Sequence, residues 1–121
     1  MSNSQNENMV IATTIKRQIH DTVLMCAGAH DFVMATRGLR FTIQNTSKFS
    51  RERYVFIHLA YNDTYKIKIV NPKTFKTEAE ATDIYADELS HILETLWETE
   101  ETLKVWRKMD RTYDFTKVVK A

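Results

Sequence analysis

The chain has 121 residues, a formal net charge of +1, 43% hydrophobic and 27% charged residues, and only two glycines and one proline. That size holds a single hydrophobic core, which excludes a cofactor domain joined to a substrate domain, and the composition excludes collagenous, linker-like and low-complexity sequence. One cysteine, Cys26, excludes an internal disulfide, and no apolar run reaches the roughly 18 to 20 residues of a membrane span.

The polar opening Met1–Asn8 has no apolar stretch bounded by basic residues, so no secretory signal is expected and the protein is expected to stay in the cytoplasm. Residues 1–9 are expected to be disordered. Ile11, Ile15, Ile19, Val23 and Cys26 then recur at helical spacing, predicting one amphipathic helix over Val10 to Ala27 with Gly28 as its left-handed stop. From Phe32 to Val70 the period changes to two. Leu39, Phe41 and Ile43, then Val55, Ile57 and Leu59, then Tyr65, Ile67 and Ile69 alternate with polar or aromatic neighbours, predicting three half-buried strands and a fourth at Phe32 to Ala35. Arg37-Gly38 and Asn62-Asp63 are the expected two-residue hairpin turns, and Thr46 to Arg53 a longer, exposed, basic loop.

Phe75 to Ala81 fits either a short edge strand, by alternation, or the first turns of a helix, by the capping-box spacing of Thr77 and Glu80. From Thr82 a helix is predicted on the stripe Tyr85, Leu89, Ile92 and Leu96, with Glu88, Glu94, Glu98 and Glu101 facing solvent and a continuation through Leu103 and Trp106. Beyond Met109 the mixed basic and aromatic sequence is expected to be a tail. The domain is thus expected over 10–98, with 99–121 as helix extension and tail.

Charge is segregated along this order. Residues 37–76 hold nine basic and two acidic groups, whereas 77–103 hold nine acidic groups and no basic one. Such blocks give a molecule a positive and a negative side, or else neutralise each other across a surface.

Motifs for chemistry are sparse. Gly28 and Gly38 alone cannot form a phosphate-binding glycine loop, a dinucleotide fingerprint or a nucleophile elbow. Cys26 has His30 nearby as a conceivable base, but its place on the apolar stripe reads as a small core residue. The His20-Asp21 and His30-Asp31 pairs have the composition of hydrolase metal ligands, and Glu88 and His91 have the Glu-x-x-His spacing of carboxylate-bridged sites. Each lacks the further ligands such sites require, so neither metal nor cofactor is expected.

The sheet carries the stronger signal. With the aliphatic residues facing the helices, the opposite face presents Arg40, Thr42, Gln44, Tyr54, Phe56, His58, Lys66 and Lys68, extended by Arg37, Lys48, Arg51 and Arg53 in the adjoining turn and loop. Aromatic rings bordered by cations stack bases and neutralise phosphates in single-strand binding modules. The alternative is that Tyr54 and Phe56 are covered by the C-terminal segment or a second subunit.

The blocks Gly28-Ala29-His30-Asp31-Phe32, Gly38-Leu39-Arg40-Phe41, Asn62-Asp63-Thr64-Tyr65 and Tyr85-Ala86-Asp87-Glu88-Leu89, in this order, resemble a group of small, functionally uncharacterised proteins of bacteriophages and prophages with the pattern G-A-x-D-F, G-L-x-F, L-N-x-x-D-x-Y and Y-x-D-x-L. Ala60-Tyr61 before Asn62 and the long segment from Thr99 depart from that pattern. The resemblance implies an accessory role in an infected cell's cytoplasm and brings no catalytic residue.

The expected fold is α+β, an antiparallel sheet of four or five strands with the N-terminal and C-terminal helices on one face. The expected function is a non-enzymatic phage accessory protein binding an anionic ligand, nucleic acid or nucleotide signal, through the basic and aromatic face, with countering of host defence as its possible use. The alternative is a protein-binding inhibitor or assembly component acting on a host protein through the acidic helix and tail; a small metal-dependent hydrolase is a third reading. No membrane association is expected. Leu96, Leu103 and Trp106 extend the apolar stripe past the compact domain, which predicts a homo-oligomer, most simply a dimer.

Overall fold

The computed structural model describes residues 2–112, with side chains described over residues 6–108. Two helices, α1 (Ser2–Gln18) and α2 (Asp21–Cys26), precede five strands, β1 (His30–Ala35), β2 (Gly38–Ile43), β3 (Arg53–Leu59), β4 (Tyr65–Val70) and β5 (Thr77–Ile84). A 3-10 turn at Ala86–Glu88 leads into α3 (Leu89–Trp97) and α4 (Glu100–Thr112). The strands form one antiparallel meander in the order β1-β2-β3-β4-β5. Helix α1 lies over β1 and β2, and α3 over β4 and β5. This is the α+β architecture that the periodicities predict.

The alternation decides which way the strands face. Phe41, Ile43, Val55, Ile67 and Ile69 are fully buried, with Leu39 and Ile57 nearly so, in one cluster with Ile15, Ile19, Leu89, Leu93 and Trp97 from the helices. Phe41 sits at its centre, edge-on to Trp97 (6.2 Å, 84°) and tilted against Phe32 (5.2 Å). Each such side chain contributes about 1.5–3 kcal/mol by leaving water.

The N-terminal stripe is buried as expected at Ile11, Ile15, Ile19 and Val23, but on two helices rather than one. A four-residue repeat drifts roughly 40° per step around a 3.6-residue helix, so an unbroken helix would carry Val23 off the sheet. The chain breaks at Ile19–His20 instead, where the His20 N–H donates to Ser90 Oγ of α3 (2.9 Å). Gly28 (φ 64°) stops α2 as expected: its N–H donates to the Met25 carbonyl (3.0 Å) and that of Ala29 to the Leu24 carbonyl (2.9 Å), the paired bonds of a Schellman cap. Cys26, expected in the core, is exposed because Val23, Leu24 and Ala27 take the inward positions. Helix α1 begins at Ser2, inside the stretch expected to be disordered, and Asn8 Oδ1 there accepts the Arg37 N–H (2.8 Å).

The first turn lies one residue before its expected place and the second is one residue longer than expected. Ala35 pairs with Gly38, so Thr36-Arg37 is the two-residue connection. Gly38 is the first residue of β2, where an added Cβ would lie 2.2 Å from the Ile57 carbonyl oxygen. Between β3 and β4 the loop is Tyr61-Asn62-Asp63, closed by the Ala60 N–H on the Thr64 carbonyl (2.8 Å) with Asp63 left-handed, as in three-residue hairpins. Residues 77–84 are strand. Ala79 and Ala81 pack on the core and Glu80 pairs with Lys68 in register, so an acidic edge strand completes itself against a basic neighbour.

The C-terminal helix is not continuous. It breaks at Glu98–Thr99, and its buried stripe is Leu89, Leu93 and Trp97, with Tyr85 exposed and Ile92 and Leu96 half-buried. Glu98, expected to face solvent, is 3% exposed: its Oε1 accepts the Ser47 N–H (2.7 Å) and hydroxyl (3.3 Å), while the Thr99 N–H donates to Ser47 Oγ (2.6 Å). The loop, exposed over most of its length as expected, is thereby clamped to the α3–α4 junction. Within the described chain Leu103 is buried and Trp106 half-buried, while Val105 between them is exposed; the tail beyond residue 112 lies outside the described residues.

Burial raises the Glu98 carboxyl above the usual carboxylate range, and the Ser47 bonds partly offset this. A raised acid contributes its stability fully below its unfolded value and loses it as pH rises through the folded one. Urea midpoints from pH 4 to 8 are therefore expected to decline in the wild type relative to Glu98→Gln, which keeps an acceptor oxygen. Glu98→Ala, which orphans the Ser47 N–H, is expected to cost about 1–3 kcal/mol. Parallel pH profiles for wild type and the glutamine variant would contradict this assignment.

Candidate functional site

The sheet face away from the core is organised by register. One row across the strands reads Val33, Arg40, Phe56, Lys68 and Glu80, and beside it His58 stands opposite Lys66. Toward the β3–β4 turn this face is accessible: His58 is exposed, and Phe56, Lys66 and Lys68 are half-buried. These four side chains line a shallow depression of about 300 Å³. Toward the opposite end the face is less accessible, with Thr42 and Val70 buried and Tyr54 half-buried.

The two aromatic rings differ in what they offer. Tyr54 and Phe56 meet edge-on (6.5 Å, 88°), and the Arg40 guanidinium lies over the Tyr54 ring at 4.8 Å. Phe56 borders the depression with Lys68 of its own row, whereas Tyr54 already carries a cation on its face. Arg40 Nε is buried with no hydrogen-bond acceptor among the described residues. His58 Nδ1 lies 3.1 Å from the Thr36 carbonyl oxygen, to which it can only donate, so that Nε2 is the acceptor in the neutral ring.

The other cations expected at the site are distributed elsewhere. Arg37 is committed at the β1–β2 turn, where its Nε donates to the Leu59 carbonyl (3.1 Å), its Nη1 pairs with Glu7 (3.1 Å) and its guanidinium stacks on Tyr61. Lys48 lies at the C-terminal end of α3, its Nζ donating to the Thr95 carbonyl (2.9 Å) and its N–H to that of Trp97 (3.0 Å), the place where a cation complements a helix dipole. Arg53 pairs with Glu78 and stacks on Phe49. Arg51 lines a second depression, of about 310 Å³, with Glu52, Arg53, Asn71, Pro72 and Lys73. Gln44 lies past the end of β2 and gives its N–H to the Ala27 carbonyl (3.0 Å).

Neutralisation between the charge blocks is thus partial. Glu78 takes Arg53 and Glu80 takes Lys66 (3.3 Å). Among the described residues Arg40 and Lys68 have no carboxylate partner. Glu80 is the site residue that sequence reasoning missed; its position beside Lys68 depends on β5 being a strand in this register, which local spacing left open.

His30 Nε2 lies 3.8 Å from Asp31 and 3.9 Å from Glu52, whereas His20 is exposed at the start of α2. Among the described residues no three His, Cys, Asp or Glu side chains are grouped to hold a metal ion. Comparison of the chain with protein-family models, curated proteins and solved structures finds no match.

If Arg40 were present for stability, removing it would cost the fold. Its ring contact contributes about 0.5–1 kcal/mol, but a buried donor without an acceptor costs about 1–3 kcal/mol. Arg40→Met keeps an apolar stem over Tyr54 and removes that donor, so its thermal midpoint is expected to equal or exceed that of the wild type. A lowered midpoint would show that the guanidinium is structural.

Proposed function

We propose that this chain is a non-enzymatic binding protein whose accessible sheet face takes a ligand carrying both phosphate and an aromatic base, a nucleotide or a nucleic acid. One observation carries the proposal: Phe56 stands in register between Arg40 and Lys68 on adjacent strands, and neither cation is neutralised by a carboxylate among the described residues. Strands about 4.8 Å apart put the Cα atoms of the two residues roughly 10 Å from each other, one on either side of Phe56. A base laid on Phe56 brings the phosphate attached to it within reach of one cation or the other. Stacking of this kind contributes about 1–3 kcal/mol per base and tolerates any base, while the cations supply affinity by releasing counterions.

The His58 ring closes one side of the same depression and presents an acceptor nitrogen to donor groups on a base edge. Lys66 borders it too, with its charge shared with Glu80. The resemblance to phage and prophage accessory proteins gives this binding its setting, the cytoplasm of an infected cell, where sequestering a nucleic acid or a nucleotide signal counters a host defence.

Fluorescence anisotropy with a labelled oligonucleotide across a salt series tests the proposal. The wild type is expected to bind with an affinity that falls steeply with salt. The double variant Arg40→Met with Lys68→Met is expected to bind at least about tenfold more weakly, with a salt slope shallower by roughly 1.4 for two lost phosphate contacts on a single strand. Phe56→Ala is expected to lose about 1–3 kcal/mol with the slope unchanged. Wild-type affinity in both variants would overturn the assignment of this face.

A further inference from the structure

The second depression lies at the far end of the same two strands. It is formed where the last residues of the β2–β3 loop meet the β4–β5 turn, and two of its lining cations, Arg51 and Lys73, have no carboxylate partner among the described residues. The turn that carries Lys73 is held in shape. Asn71 Oδ1 accepts the Lys73 N–H (2.9 Å), the Phe75 N–H donates to the Asn71 carbonyl (2.8 Å), and the Asn71 N–H donates to that of Lys76 (3.0 Å).

Phe75 in this turn combines two unusual features. It is 72% exposed and held at φ 59°, a left-handed conformation that a bulky side chain adopts only against steric resistance. An exposed aromatic side chain held in a sterically costly conformation points to a contact outside the chain. Between the two depressions lies Tyr54, half-exposed, with Arg40 on its ring.

We infer that the ligand is a single-stranded nucleic acid lying along β3 and β4, its one end in the depression at Phe56 and Lys68 and its other on a second subsite made by Arg51, Lys73 and Phe75. This deepens the nucleotide-binding proposal and rests on it. From Arg53 to His58 the strand covers roughly 17 Å at 3.3 Å per residue, more than a mononucleotide spans and about five nucleotides even at the 3.4 Å spacing of a stacked duplex strand. A folded polyanion without bases would not need Phe75, and a duplex would not present its bases to either ring.

The experiment compares a labelled dinucleotide with a labelled decanucleotide, in DNA and RNA forms, on the full chain. The wild type is expected to bind the decanucleotide at least about tenfold more tightly than the dinucleotide, because the second subsite adds a tethered contact. Arg51→Glu with Lys73→Glu, and separately Phe75→Gly, are expected to remove that gain while leaving dinucleotide affinity unchanged within about twofold. Phe75→Gly is also expected to raise the thermal midpoint, since glycine accepts this φ freely, so lost affinity cannot be ascribed to unfolding. Equal binding of both lengths, or a length dependence that survives both variants, overturns the second subsite and leaves the Phe56 face standing. Failure of the wild type to bind any of the four probes overturns both.

Discussion

The structure depends on one asymmetry: a five-stranded meander has two faces, and its helices cover one. Side chains alternate along each strand, so placing Phe41, Val55, Ile57, Ile67 and Ile69 against the helices places Arg40, Phe56, His58, Lys66 and Lys68 on the other side without further choice. A register slip of one residue in β3 would bury Tyr54, Phe56 and His58 and expose Val55 and Ile57. The stability of the core therefore fixes the geometry of the accessible face, and the face can carry groups that contribute nothing to folding.

Charge within the molecule is sorted between holding the fold together and remaining available. Arg37 ties the β1–β2 turn to α1, Lys48 closes the end of α3, and Arg53 and Lys66 fasten β5 to the sheet. Exposed pairs of this kind contribute about 0–1 kcal/mol each, so their effect is mainly to place edges and loops. The buried Glu98 joins the β2–β3 loop to the break between α3 and α4, and the direction of its shift shows that burial outweighs its hydrogen bonds. Among the described residues Arg40 and Lys68 on either side of Phe56, and Arg51 and Lys73 at the β2–β3 loop and the β4–β5 turn, are left without a carboxylate partner.

Much of this was legible from residue spacing. The period of two through Leu39–Ile43, Val55–Leu59 and Tyr65–Ile69 assigns both strands and faces, and Gly28 marks the end of α2 because the left-handed cap demands it. The helix breaks at His20 and Glu98 were not legible, since the groups that satisfy the chain there, Ser90 and Ser47, are 70 and 51 residues away in sequence. Residues 77–84 suit helix or strand by local spacing, and only the neighbouring basic strand decides between them. The destinations of Lys48 and Arg37 are likewise set by tertiary contacts, which is why a tally of basic residues in 37–76 overstates the charge at the site. Phe75 carried no sequence signal, because its anomaly is a backbone angle.

The proposed ligand meets this protein on the helix-free face of the sheet. Backbone amide NMR shifts followed while a decanucleotide is titrated into the uniformly labelled chain test it most directly. Perturbations are expected at Arg40, Phe56, His58, Lys66 and Lys68, reaching Arg51 and Lys73, with α1 and α3 silent. Perturbations confined to the acidic edge strand and the helices, or none at any residue, would contradict it.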